Sequence, residues 1–185
     1  MGENDATSAH PLRSLRLVFW GLIAVVDDDR IDGPDLVPDP VAWLVALVGV
    51  ARLARLHPGF GVAAVGCGLG LLVSLPDWAQ PGDGATGLLT GVAETVVVFG
   101  TCTGLIAVLP ARRATAATIR GWDLGLMLAV AVLTGLAGLD GAGAGGPLTA
   151  LVVVLAVAAV VVLVCFLVLL FRVSGDEPEI GPSPA

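Results

Sequence analysis

The sequence predicts an all-α membrane protein, a polytopic bundle of transmembrane helices, and three observations lead to that prediction. Hydrophobic residues make up 56% of the 185 residues and charged residues only 14%, whereas soluble domains have roughly 45–50% and 25%. The apolar residues are gathered into runs that approach the ~20 residues needed to cross the hydrocarbon core of a bilayer. The arginines fall in alternate connecting segments, as the positive-inside rule requires.

Six segments are predicted to cross the membrane, and they cover residues 12–26, 40–56, 59–75, 85–109, 122–139 and 148–171. The last of them contains no charge, glycine or proline. The second begins where Asp39 is expected to cap a helix and Pro40 to occupy its first position. The first is the shortest, with about 22 Å of helix against a core of ~30 Å. A five-span bundle with an interfacial N-terminal helix is therefore the alternative.

The distribution of arginine favours six spans over five. With the N-terminus in the cytoplasm, every arginine except Arg30 lies on the cytoplasmic side, whereas five spans would place Arg13 and Arg16 outside. The sequence contains no lysine, a usage typical of GC-rich bacterial genomes. We therefore predict a bacterial inner-membrane protein with both termini in the cytoplasm. Residues 1–11 and 174–185 are predicted to be disordered, which leaves 12–173 as the membrane domain.

An acidic segment separates the first two predicted helices and is expected to form a tight structural loop. Its candidate residues are Asp28, Arg30, Gly33, Asp35, Pro38 and Asp39. The spacing partly matches a calcium-binding loop, but Arg30 occupies a position that should supply an oxygen ligand. We therefore expect Arg30 to pair with the neighbouring aspartates, and no metal site is predicted.

The same loop carries a resemblance to a family. The run Leu17 to Leu56, with its D-x-R-I-x-G-x-D-x-x-P-D loop, resembles the start of a family of uncharacterised bacterial multi-pass membrane proteins. In that family a short apolar helix precedes the loop and a second helix follows it. The resemblance covers roughly a fifth of the chain. It implies a membrane location and no particular activity.

Glu94 is the one acidic residue deep inside a predicted span, about 13 Å from its outer end. Thr90 and Thr101 fall on the same helical stripe as Glu94, together with two glycines. A carboxylate facing lipid is costly, so this stripe should face the bundle. Two interpretations remain open: a glutamic acid that is hydrogen-bonded across a helix contact, and a proton or cation relay. A relay usually has a second charged group, and the sequence predicts none deep within a span. Both interpretations predict that Glu94→Leu destabilises the bundle.

The sequence contains no motif of a hydrolase, a metalloprotease or a nucleotide-binding protein. We therefore predict no catalytic residue, no cofactor and no enzyme activity, and the few arginines exclude a nucleic-acid partner. The three cysteines fall in apolar segments without the spacing of a metal site and are expected to be buried free thiols: Cys67, Cys102 and Cys165.

The first functional hypothesis is a non-enzymatic membrane protein with an interaction or organising role. Its expected partners are the lipid bilayer and other membrane proteins, which pack against helix faces rich in small residues. Three glycine pairs have the required four-residue spacing: Gly87 and Gly91, Gly100 and Gly104, Gly121 and Gly125. The alternative is a small transporter or channel subunit that uses Glu94. An enzyme acting on lipids has the least support, because only Trp122 and Asp123 supply polar groups at the predicted interface.

Overall fold

A computed structural model of the chain describes residues 11–26, 38–79, 85–140 and 147–175. Within these ranges the fold is all helical, with six α-helices and two short 3₁₀ turns. The helices are α1 (Leu15–Val26), α2 (Asp39–Leu53), α3 (Pro58–Ala79), α4 (Ala85–Val108), α5 (Arg113–Asp140) and α6 (Pro147–Gly175). The 3₁₀ turns, Pro11–Ser14 and Pro110–Arg112, precede α1 and α5. The all-α fold class is confirmed.

Four of the described helices are long and apolar enough to cross a bilayer. Their membrane-compatible stretches are 58–75, 87–108, 110–135 and 150–175, which belong to α3, α4, α5 and α6. By contrast, α1 has 12 residues and α2 has 15, so they are about 18 Å and 22 Å long. These lengths fit an all-α membrane bundle with four full-length helices and one short pair.

Helix α5 begins at Arg113, nine residues before the predicted span 122–139. The intervening segment is rich in alanine, the residue with the highest helix propensity, and it continues the helix toward the N-terminus. The other helix ends lie within a few residues of prediction, except that α3 continues to Ala79 and α6 to Gly175.

Consecutive helices pack side by side around the bundle, and α6 contacts α1 to close the ring. Because short connections join them, successive helices run antiparallel. The starts of α1, α3 and α5 and the ends of α2, α4 and α6 therefore meet at one end. We call it the arginine end, because it carries Arg13, Arg52, Arg112 and Arg172.

Glycines bring α3 and α4 into close backbone contact. A Cβ on Gly59 would lie 2.7 Å from the backbone nitrogen of Gly104, and one on Gly66 would lie 2.8 Å from that of Val97. Gly100 faces the backbone of Gly59 and Ala63 in the same way. Only glycine allows this approach, and the closeness multiplies dispersion contacts between the two helices.

Helix α2 packs between α1 and α3 through residues of matched size. On one side, a Cβ on Gly49 would lie 3.0 Å from the carbonyl oxygen of Ser14 in the turn before α1. On the other side, the fully buried indole of Trp43 lies directly over Gly70 of α3. The short helices α1 and α2 thus belong to the packed core.

Packing is uneven along the bundle. In α4 the buried side chains extend from Ala93 to Leu105, toward the arginine end. In α6 they extend from Phe166 to Val173, again toward that end, where the rings of Phe19 and Phe171 lie 5.5 Å apart. Only 6% of the membrane-compatible stretch of α6 is buried, against 44% for α4. Helix α4 is therefore well packed against its neighbours, whereas α6 is the least buried of the four long helices.

The start of α2 differs from prediction by one residue. Pro38 occupies the cap position without a side-chain cap, and Asp39 is the first helical residue. Proline is accommodated in the first turn because the backbone N–H groups there lack intrahelical partners. The carboxylate of Asp39 lies in the first turn, where the helix dipole stabilises negative charge. The remaining candidate loop residues, from Asp28 to Asp35, lie outside the described residues.

Candidate intramembrane polar site

Glu94 does not stand alone. The carboxyl groups of Asp123 on α5 and Asp39 on α2 contribute negative charge to its electrostatic surroundings. Glu94 follows Ala93, the buried side chain of α4 that lies farthest from the arginine end. Glu94 therefore lies where tight packing gives way to a more exposed half of the bundle. We call Glu94, Asp123 and Asp39 the acidic cluster.

The helix hairpin explains why Glu94 and Asp123 meet. In an antiparallel pair, residues equally distant from the connecting turn lie side by side. Glu94 precedes Leu109 of the turn by 15 residues and Asp123 follows it by 14. The expectation that no second charged group accompanies Glu94 within the bundle is therefore wrong. The signal was present in the sequence, but the late predicted start of the fifth helix placed Asp123 at the membrane surface.

Asp123 has one satisfied and one unsatisfied oxygen. The side chain of Thr95 donates a hydrogen bond to its carboxylate. The other oxygen, Oδ2, is buried and has no hydrogen-bond partner among the described residues. A buried carboxylate oxygen in this state has full capacity to bind a proton or a cation.

Arg120 brings positive charge to the same helix interface without pairing with Asp123. Its Nη1 donates to the hydroxyl of Thr103 over 3.2 Å, and that hydroxyl donates to the carbonyl oxygen of Phe99 over 2.7 Å. The guanidinium carbon also lies 5.3 Å from the centre of the Phe99 ring, within the range of a cation–π contact. Arg120 is thus held against α4, one turn closer to the arginine end than Asp123.

The two threonines predicted to accompany Glu94, Thr90 and Thr101, differ in burial, and Thr101 is not hydrogen-bonded to Glu94. Thr101 is fully buried, and its Oγ1 has no hydrogen-bond partner within the described part of the chain. Thr90 is only partly buried. Within the stripe, Thr101 faces the bundle but forms no hydrogen bond with Glu94, whereas Gly87 is exposed. The side chains that were missed are Asp123, Thr95 and Arg120.

The cysteines were predicted to be buried free thiols. Cys67 and Cys102 are free and buried, whereas Cys165 is exposed on α6, so the prediction is wrong for Cys165. The exposure follows from the low burial of α6. Among the described residues, no group of three or more His, Cys, Asp and Glu side chains is arranged to hold a metal ion.

The comparisons with known proteins give no relative. No family model matches the chain, and neither the curated proteins nor the solved structures contain a match. The function therefore has to be argued from the chemistry of the site.

Proposed function

We propose that the protein is a small membrane transport protein, or a subunit of one, that binds a proton or cation at Glu94 and Asp123. The observation behind the proposal is that Asp123 of α5 accepts a hydrogen bond from Thr95, the residue next to Glu94 on α4, so the helix contact brings one acid within the electrostatic influence of the other. Ionisable groups inside membrane segments are costly and usually mark ion or proton pathways. A paired acid supplies the second group that a relay needs.

The surroundings of the acidic cluster support a site that exchanges its ligand. Oδ2 of Asp123 has no described partner, and Arg120 is directed to Thr103 and Phe99. A purely structural pair of carboxyl groups would gain most from a direct arginine partner or a full set of hydrogen bonds. Asp39 adds a third carboxyl group on the side facing away from the arginine end, where a cation would enter.

The proposed topology has all six helices in the inner membrane of a bacterium, with the arginine end and both termini in the cytoplasm. The supporting observation is that α1 and α2, although short, pack into the same core as the four long helices. Arginines gathered at one end agree with the positive-inside rule. In this orientation the acidic cluster is reached from the periplasmic side.

The test is proton flux into vesicles that contain purified protein, driven by a membrane potential and read with an enclosed pH-sensitive dye. We expect the proton flux into vesicles with wild-type protein to exceed the flux into protein-free vesicles. Parallel measurements with added Na⁺ or K⁺ detect competition between these cations and protons. Glu94→Gln and Asp123→Asn should each lower the flux at least tenfold, because neither amide takes up a proton reversibly. Thr118→Ser, on the far face of α5, is the matched control and should leave it unchanged.

Stability measurements separate a lost site from a lost fold. We expect Glu94→Gln to unfold at the wild-type temperature. Glu94→Leu should be at least as stable as wild type, because it removes a carboxyl group that faces two others and that receives no hydrogen bond from Thr101. This reverses the expectation from the sequence. Wild-type flux equal to that of Glu94→Gln would contradict the transport proposal.

The second candidate function is membrane organisation through helix contacts with other proteins. Gly121 and Gly125 on α5 have no neighbouring atom within 4 Å of an added Cβ, so this small-residue face is open. Affinity purification from native membranes tests it. A stoichiometric membrane partner that is lost on Gly121→Leu would favour this candidate over transport.

A further inference from the structure

An apolar groove of about 520 Å³ runs between α5 and α6 on the outside of the bundle. On α5 it is lined by Thr118, Ile119, Trp122 and Leu126, and on α6 by Ala158, Val161, Val162 and Cys165. The hydroxyl of Thr118, the main polar group among these side chains, is already bonded to the carbonyl oxygen of Ala114. The groove therefore offers hydrocarbon contact and hardly any hydrogen bonding.

The dimensions of the groove fit an acyl chain lying along the helices. From Thr118 to Leu126 it follows eight residues of α5, or about 12 Å of helix. One leaflet of the hydrocarbon core is about 15 Å thick, half of the whole core. Trp122, which lines the groove, is 63% exposed, which leaves room for a chain next to it.

An exposed arginine lies beyond one end of the groove. Arg172 follows Cys165 of α6 by seven residues. A seven-residue separation keeps side chains on nearly the same face of a helix, about 10 Å apart along its axis. Arg172 is therefore in line with the groove at the arginine end. The segment 158–175 of α6 contains no acidic residue, and Asp123 of α5 accepts a hydrogen bond from Thr95 of α4, on the other side of its helix.

We propose that this groove binds one acyl chain of an anionic phospholipid, whose phosphate is held by Arg172. Arginine matches phosphate geometry with paired N–H donors. Its long side chain reaches the interface from a helix position slightly below it. Basic pockets between membrane helices recognise anionic headgroups in this way. A zwitterionic lipid carries the same phosphate, but its ammonium group offsets the attraction to Arg172, so the anionic lipid binds more tightly.

The test uses the full chain in bilayers of phosphatidylcholine with small, equal fractions of brominated phosphatidylglycerol or brominated phosphatidylcholine. Bromine near Trp122 quenches its fluorescence, and the difference between wild type and Trp122→Phe isolates that signal. The fraction of brominated lipid is raised in matched series. We expect brominated phosphatidylglycerol to reach half-maximal quenching at a mole fraction at least threefold lower than brominated phosphatidylcholine does.

Two pairs of variants separate the headgroup from the chain. Arg172→Gln should remove the preference, whereas Arg55→Gln, at an exposed arginine of the α2–α3 turn, should keep it. Ala158→Leu fills the groove and should also remove the preference, whereas Ala159→Leu, on the exposed neighbouring face, should not. Unfolding temperatures of all four variants verify the fold.

Several outcomes overturn the proposal. One is equal quenching by the two lipids in wild-type protein. Another is a preference that survives either Arg172→Gln or Ala158→Leu, because the proposal needs headgroup and chain together. A third is a protein dimer that excludes both lipids and dissociates on Ala158→Leu, which would assign the groove to a second copy of the chain.

Discussion

Thr101 and Thr103 are two residues apart on α4, yet their hydroxyl groups meet different surroundings. The hydroxyl of Thr103 accepts a hydrogen bond from Arg120 and donates one to Phe99. That of Thr101 is buried without a partner among the described residues. An unsatisfied buried hydroxyl costs about 1–3 kcal/mol. The two side chains therefore contribute to stability with opposite signs, although sequence position alone gives them the same environment.

This contrast predicts the effects of one substitution at two positions. Thr101→Val keeps the shape of the side chain and removes the unsatisfied hydroxyl, so we expect a higher unfolding temperature in detergent. Thr103→Val deprives Arg120 of its acceptor and should lower stability by about 1 kcal/mol. For a chain of this size, 1 kcal/mol corresponds to roughly 2–4 °C. A loss of stability at Thr101→Val would mean that its hydroxyl has a partner.

At the scale of the helix, equal glycine spacing leads to unequal roles. Gly100 and Gly104 contact α3 closely, whereas Gly121 and Gly125 face open space. The four-residue spacing predicts a small-residue face but not what covers it. Contact with α3 depends on matching small residues there, such as Gly59 and Ala63, and on the rotation of both helices about their axes. No feature of the α4 sequence alone determines that rotation.

The matched test is glycine to alanine at Gly100 and at Gly121. At Gly100 the new Cβ would lie 2.7 Å from the carbonyl oxygen of Gly59, so the backbones must separate at a cost of about 1–3 kcal/mol. At Gly121 nothing obstructs the Cβ, and alanine gains about 1 kcal/mol of helix propensity. Thermal unfolding should therefore shift down for the first variant and up for the second. Equal shifts would contradict the α3–α4 contact.

At the scale of the whole molecule, much of the fold follows from the sequence, because apolar run length and arginine position depend on the bilayer rather than on fine packing. The all-helical bundle and most helix ends were predicted on that basis. The acidic cluster was only half predicted. Glu94 stood out as an acid in an apolar run, whereas Asp123 lies in the more polar first half of α5. It becomes part of the site only through the antiparallel pairing of α4 and α5.

The short helices α1 and α2 leave three topologies to distinguish. If both helices cross the bilayer, the N-terminus is cytoplasmic and the segment 27–37 is periplasmic. If α1 lies on the outer surface, the N-terminus and the segment 27–37 are both periplasmic. If the two helices enter from the cytoplasm and return to it, the N-terminus and the segment 27–37 are both cytoplasmic. Reporter fusions near Arg112 and after Arg172 read cytoplasmic in all three, so they test only the orientation of the four long helices.

Two further measurements decide among the three. We expect a reporter before Leu12 to read cytoplasmic, and Asp32→Cys in a Cys165→Ala background to react with a membrane-impermeant maleimide added to intact spheroplasts. Buried Cys67 and Cys102 should stay unlabelled. Helices of about 18 Å and 22 Å can still cross, because the bilayer thins locally at a modest cost per ångström, and their packing against α3 and α6 is already formed. A cytoplasmic N-terminus with an unreactive Asp32→Cys would instead establish the re-entrant pair.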